Sequence, residues 1–109
     1  MEDAAEAMGA TWEEMQCGSY GDYAAISYNG NKIITGSTGG CLLTNSLEDA
    51  IKPVMVYSGK RRCSMVPNEE VGYNYRMSNV IAGVIRDQYN HLSDHIAQRK
   101  QFMIDIEKD

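Results

Sequence analysis

The clearest periodicity in the chain lies near its end. Met77, Val80, Ile81, Val84 and Ile85 recur at helical spacing, and Leu92, Ile96, Met103 and Ile106 continue the pattern at a shifted phase. The spacing predicts two helices with a break around Asn90 to Ser93, where Asn90 is a tolerable C-cap and Ser93 a good N-cap. A third helix is expected to open at Ser46, with Asp49 three residues on as an imperfect capping-box partner, and to end or kink at Pro53. Its Ala50 and Ile51 fall on the apolar side. Upstream, Tyr23 to Tyr28 is aromatic and small-apolar and is bounded by Gly18 and Gly21 before it and Asn29-Gly30-Asn31 after it, which reads as a buried strand. Cys41 to Thr44 reads as a second strand. Between them Gly36-Ser37-Thr38-Gly39-Gly40 can take up positive φ and reverse the chain, giving a hairpin with Lys32 in its connection. The Ala-rich stretch Glu2 to Thr11 fits a short helix as well as a strand end with its turn. Tyr57 to Val71, with Gly59, three basic residues and Pro67, lacks periodicity and reads as a loop.

Composition narrows the class. With 109 residues, 43% of them apolar, the chain is expected to form one domain over 1–109, because about 60–70% of the surface can be buried at this size. A net charge of -5 argues against a nucleic-acid partner, whose phosphates call for clustered Lys and Arg, and Lys60-Arg61-Arg62 is a short exception. Cys17, Cys41 and Cys63 are odd in number and lack CxxC spacing, so they read as reduced thiols of a cytoplasmic protein. Met1-Glu2-Asp3 has neither a basic nor an apolar leader character, and no apolar run is long enough for a bilayer, so no membrane association is expected.

The candidate chemistry centres on Lys32. Taken alone, a lysine in a polar turn is usually a solvated surface residue. Its company changes that reading: the acidic turn Glu2-Asp3-Ala4-Ala5 lies upstream, and Ser27 sits five residues before Lys32 on the strand that leads into the turn. An amine that can form a Schiff base, a carboxylate that can keep a ring nitrogen protonated and a hydroxyl for a phosphate are what pyridoxal phosphate asks of a protein. The glycine cluster 36–40 lacks the order of a phosphate loop and reads as hairpin geometry. His91 and His95 have the i, i+4 spacing that can clamp a metal, but without a third ligand they read as a solvated face, and no metal is expected.

Four separated blocks, Glu2-Asp3-Ala4-Ala5-Glu6-Ala7, Gly21-Asp22, Ser27-Tyr28-Asn29-Gly30-Asn31-Lys32-Ile33-Ile34-Thr35 and Gly72-Tyr73-Asn74-Tyr75-Arg76-Met77-Ser78-Asn79, closely resemble the DegT/DnrJ/StrS family of sugar aminotransferases, in family order and over essentially the whole chain. The resemblance implies an α/β fold class: a fragment of the large domain of a fold-type I pyridoxal phosphate-dependent transferase, about two strands as a hairpin plus three helices. In the family the sheet is mostly parallel, and the strand after the lysine turn runs antiparallel at one side. The resemblance further implies that Lys32 is the Schiff-base lysine and general acid/base, that Asp3 contacts the pyridine nitrogen and that Ser27 hydrogen-bonds the cofactor phosphate. Ala5 would lie against the ring and Glu6 near its hydroxyl, and the segment Asn74 to Arg76 would reach the neighbouring subunit's cofactor phosphate or substrate. The family aminates nucleotide-linked keto sugars with glutamate or glutamine as donor, and Asn29-Gly30-Asn31-Lys32 is similar to members that use 4-keto-6-deoxy sugars. Family members are several times longer, so the chain resembles the middle of such an enzyme, and Pro53 and Ser64 to Asn68 depart from the family pattern. An open strand edge and the stripe from Met77 to Ile85 point to a homodimer or higher oligomer. Two readings follow: a sugar aminotransferase represented by its lysine-bearing core, and a non-catalytic, self-associating α+β module descended from one.

Overall fold

The computed structural model describes residues 1–51 and 75–108. The loop expected from Tyr57 to Val71, the stop at Pro53 and the departures around Ser64 to Asn68 lie outside the described residues. In chain order the elements are β1 (Glu2–Asp3), β2 (Thr11–Trp12), β3 (Met15–Gln16), β4 (Ala24–Ser27), β5 (Gly40–Leu43), a helical turn at 47–51 (α1), α2 (Asn79–Gln88), a 3-10 turn at Tyr89–His91 and α3 (Leu92–Ile106).

The main sheet has the order β1-β4-β5. Its centre, β4, alternates strictly: Ala24 and Ile26 are buried, as is Tyr28 just beyond, while Ala25 and Ser27 face the open side. β5 pairs antiparallel to β4, with Ile26 opposite Cys41 and Ser27 opposite Gly40, so the expected hairpin forms, one residue earlier than the pattern placed its second strand. β1 pairs parallel to the other edge of β4, Glu2 beside Ala24 and Asp3 beside Ala25. The stretch that local propensity left open is therefore a strand end with its turn, and the sheet has one more strand than the hairpin alone. A second, two-stranded sheet, β2 with β3, was not foreseen. Its turn is made by Glu13 and Glu14 at φ 46° and 66°, a conformation usually left to Asn and Gly, so the sequence carries no signal for it.

The core lies between the closed face of the sheet and α2. Ala4, Ile26, Tyr28, Ile34 and Ile85 are buried, and Ala7, Met8, Ile33, Cys41, Met77, Ile81 and Leu92 pack against them. The apolar stripe of α2 therefore divides: Met77, Ile81 and Ile85 turn inward at successive i, i+4 steps, whereas Val80 is 77% exposed and Val84 about half exposed. Gly36 lets the lysine-bearing connection approach this helix, since a Cβ there would fall 2.6 Å from Ile81 Cγ2 and 2.8 Å from Ile85 Cδ1.

The helix ends obey capping chemistry with one departure from expectation. Ser78 caps α2, its hydroxyl accepting the Ile81 N–H, and Ser46 caps α1 by accepting the Asp49 N–H at 3.2 Å as the pattern indicated. Ile51, expected on an apolar side, is 46% exposed. The break between the last two helices falls at Tyr89–His91, but Ser93 is not its cap. Gln88, Tyr89 and Leu92 all keep helical dihedrals, and only His91 leaves them, so α3 restarts at Leu92 without a side-chain cap. Among the described residues no helix is long and apolar enough to cross a membrane.

Candidate functional site

A cleft of about 320 Å³ opens beside the end of β4. The turn after β1 lines it with Ala5, Glu6 and Met8, the β4 end and its connection with Ser27, Asn31, Lys32, Ile33 and Ile34, and α3 with Arg99. Four of the residues singled out in the sequence, Ala5, Glu6, Ser27 and Lys32, thus share one cavity. Their convergence follows from the parallel pairing of β1 with β4, which delivers the turn 4–8 and the β4 exit to the same end of the sheet.

Lys32 is fixed at both ends. Its N–H donates to the Asn29 carbonyl at 3.0 Å, closing a turn, and its Nζ lies 2.5 Å from Glu6 Oε1. The lysine side chain is only 15% exposed while the glutamate's is 79% exposed, so the amine is held inward by a carboxylate on the rim. The hydrogen bond from Lys32 and its positive charge hold the Glu6 carboxyl below its ordinary value. Ser27 Oγ accepts the Asn29 N–H at 3.2 Å and retains its own proton for donation.

Asp3 lies outside the cleft lining. It stands beside Ala25 on β1, on the open face of the sheet that Ser27 also occupies two residues along, and its Oδ1 accepts the Ala5 N–H at 3.1 Å. Arg76 is exposed just ahead of α2 and does not line the cavity. Asn74 lies outside the described residues. Arg99 is the charged lining residue that sequence reasoning missed. The signal was its spacing of three from Ile96, the residue that seats α3 on the turn after β1: a Cβ at Gly9 would come within 2.4 Å of Ile96 Cδ1. The two histidines lie on successive turns, ring centroids 6.5 Å apart, with His91 Nδ1 3.9 Å from Asp94.

The donor set fits pyridoxal phosphate. An amine, a hydroxyl, an alanine small enough to leave room for a planar ring, and a guanidinium suited to an anion all border one cavity, and a carboxylate stands on the adjoining sheet face. Among the described residues no group of three or more His, Cys, Asp or Glu side chains is placed to hold a metal ion.

Comparison with known proteins gives a consistent result. The sequence profile of the DegT/DnrJ/EryC1/StrS aminotransferase family matches residues 1–107. GDP-perosamine synthase of Caulobacter vibrioides is 41% identical over 106 residues, which cover 93% of this chain and 28% of that protein. A DegT DnrJ EryC1 StrS aminotransferase from Brucella abortus superposes with a TM-score of 0.70 at 26% identity, over 84% of this chain and 25% of that one. PseC of Helicobacter pylori, an aminotransferase involved in the biosynthesis of pseudoaminic acid, superposes with a TM-score of 0.75 over the same shares at 21% identity, a likeness of fold. The chain spans about a quarter of the length of the relatives it matches.

Proposed function

The chain belongs to the DegT/DnrJ/EryC1/StrS aminotransferase family, and from that premise we propose that it is the lysine-bearing part of a pyridoxal phosphate-dependent enzyme. That enzyme transfers an amino group from glutamate or glutamine to a nucleotide-linked keto sugar. The observation that carries this reading is the cleft in which the Lys32 amine, the Ser27 hydroxyl and Ala5 meet, with Glu6 holding the amine at 2.5 Å. When bound, pyridoxal phosphate supplies an electron sink for charge developing at a substrate carbon.

The chain's own residues would do the rest. Lys32 anchors the cofactor through Nζ and, when released, moves a proton from that same atom. Glu6 holds the free amine in place, so that it stays aimed into the cleft between these tasks. Ser27 would donate to the cofactor phosphate, Ala5 would lie against the ring, and Asp3 would keep the ring nitrogen protonated from the open sheet face. By family resemblance Asn74 and Arg76 would serve the cofactor phosphate or substrate of a neighbouring subunit, in a homodimer or higher oligomer in the cytoplasm. A second reading, a non-catalytic self-associating module, is favoured by the exposure of Val80, Val84, Phe102 and Met103 on the two long helices.

Titration with pyridoxal phosphate separates the two. The first reading expects a shift of the cofactor's absorbance band that is lost in Lys32→Ala and kept in Lys60→Ala. No shift at saturating cofactor, or equal shifts in both variants, favours the second.

A further inference from the structure

Lys32 stands at the apex of a connection whose neck is closed by one carbonyl. Tyr28 O accepts the Gly36 N–H at 2.9 Å and the Thr35 hydroxyl at 3.3 Å, while the Tyr28 N–H donates to Gly39 O at 3.0 Å. Thr35 Oγ1 also accepts the Ser37 N–H at 3.0 Å. Such a neck fixes the ends of the connection relative to each other but does not fix its position over the cleft. Ile33 and Ile34 pack the connection onto the core, and α2 ties it by hydrogen bonds.

Gln88, the last residue of α2, pairs with both backbone polar groups of Thr35: its Oε1 accepts the Thr35 N–H at 3.0 Å and its Nε2 donates to Thr35 O at 2.6 Å. The carboxamide acts as a one-residue strand partner, satisfying the half-buried backbone N–H and C=O of Thr35, which belong to the two peptide units flanking that residue. Nε2 donates also to Val84 O at 3.2 Å, which ties the side chain back onto its own helix. The next residue, Tyr89, meets the opposite side of the neck, its hydroxyl 2.7 Å from that of Tyr28 with the rings edge to face at 6.3 Å. Both sides of the neck are therefore fastened to two consecutive residues at the C-terminal end of α2. No other described element makes a side-chain hydrogen bond to the Thr35 backbone.

We infer that Gln88, assisted by Tyr89, is a positioning residue for Lys32: by clasping the Thr35 peptide to α2 it fixes where the lysine-bearing connection hangs over the cleft. The inference rests on Lys32 being the working residue of the cleft, but its test does not use the cofactor. Reductive methylation with formaldehyde and cyanoborohydride, mapped by mass spectrometry, gives the labelling rate of Lys32 relative to exposed Lys100 in the full chain. Amide hydrogen exchange reads the Thr35 N–H directly.

In Gln88→Met, which keeps the length of the side chain and removes both bonds, Thr35 exchange is expected to rise roughly tenfold. The Lys32 to Lys100 labelling ratio is expected to rise about threefold or more as the amine is freed from its inward, Glu6-bound position. Gln88→Glu retains the acceptor for the Thr35 N–H but turns an oxygen towards Thr35 O, where Nε2 donates at 2.6 Å. It should therefore return protection to within about threefold of the parent only at a pH where the carboxyl is protonated and can donate, a dependence that general loosening of the helix would not produce. Unchanged Thr35 exchange in folded Gln88→Met overturns the clasp. Faster exchange with an unchanged labelling ratio overturns the positioning role. Should Gln88→Met fail to fold, Gln88→Glu with its carboxyl ionised carries the test, because the oxygen facing Thr35 O opens the clasp without shortening the side chain, and an unchanged Thr35 exchange or labelling ratio there overturns the inference. Failure of the pyridoxal phosphate titration would leave these outcomes intact and bear only on the cofactor.

Discussion

The two hairpins among the described residues are held in opposite ways. The β4–β5 connection takes its positive φ at Gly39 and Ser37, closes its neck on Tyr28 O, and is gripped from α2 by Gln88 and Tyr89. The β2–β3 hairpin turns through two glutamates at positive φ, exposes Trp12 by 66%, and is tied down chiefly by its own neighbours, among them the Tyr20 hydroxyl on the Trp12 carbonyl and Gln16 on the Ala10 carbonyl. A left-handed residue with a side chain costs about 1–2 kcal/mol, and glycine avoids most of it. The shape of the first hairpin is thus imposed by contacts from distant parts of the chain, and that of the second by contacts within its own stretch. Substitutions around β4–β5 should accordingly reach Lys32, and those in the β2–β3 turn should not.

The largest effect is expected at Gly40. A Cβ there would lie 2.6 Å from the Ile26 carbonyl oxygen, a backbone atom that cannot swing aside, so Gly40→Ala should cost about 3 kcal/mol and loosen the pairing of Ser27. A thermal or urea melt reads this, and a loss under about 1 kcal/mol would show that the two strands are not so closely apposed. Next comes Tyr28→Phe, which strands the Tyr89 hydroxyl and removes the contact with Cys41 Sγ at 3.1 Å, at a cost of about 1 kcal/mol. Burial first, then the hydrogen bonds to Cys41 and Tyr89, raise the Tyr28 phenol above its ordinary value of 10.0. A raised value means that the native state keeps the proton that the unfolded chain gives up. This contribution is therefore whole below about pH 10 and is lost as the pH climbs beyond it. The parent should lose stability on that alkaline limb more steeply than Tyr28→Phe, and parallel limbs would contradict the buried hydroxyl.

The other hairpin supplies the contrast. Glu14→Gly relieves a left-handed glutamate and should stabilise the chain by about 0.5–1 kcal/mol while leaving Lys32 labelling unchanged. Destabilisation, or a change at Lys32, would collapse the distinction between the two hairpins. The smallest effect is at Glu6, whose exposed carboxyl is held below 4.5 by the hydrogen bond and charge of Lys32. Its contact is present above about pH 4.5 and is lost as the pH falls through the lowered value. A carbon-detected NMR titration should place the Glu6 midpoint below 4.5 in the parent and back near it in Lys32→Ala, and equal midpoints would dissolve the Lys32–Glu6 pair.

What was legible follows the same division. The alternation of β4, the glycine-assisted return to β5 and the inward i, i+4 residues of α2 are local patterns, and the sequence displays them. β1 is two residues long and exists because β4 accepts it as a parallel partner, a non-local choice that no window around Glu2 contains. The β2–β3 turn lacks the residues such turns favour, so its reversal could not be read. Ser93 looked like a cap because capping preference is local, whereas the backbone stays helical through Tyr89, whose hydroxyl meets that of Tyr28. At the cleft, Lys32 and Ser27 stand out by their spacing and company, Ala5 and Glu6 only through family resemblance, and all four meet in one cavity. Arg99 and Gln88 were missed because their placement depends on how the helices pack, through Ile96 on Gly9 and Ile85 beside Gly36.

The central claim is that the cleft selects Lys32 from among the chain's lysines. Incubation with pyridoxal phosphate, reduction with borohydride and peptide mapping test it most directly. The account predicts that the pyridoxyl mass appears predominantly on Lys32 at low cofactor ratio. An even spread over Lys32, Lys52, Lys60, Lys100 and Lys108 would contradict it.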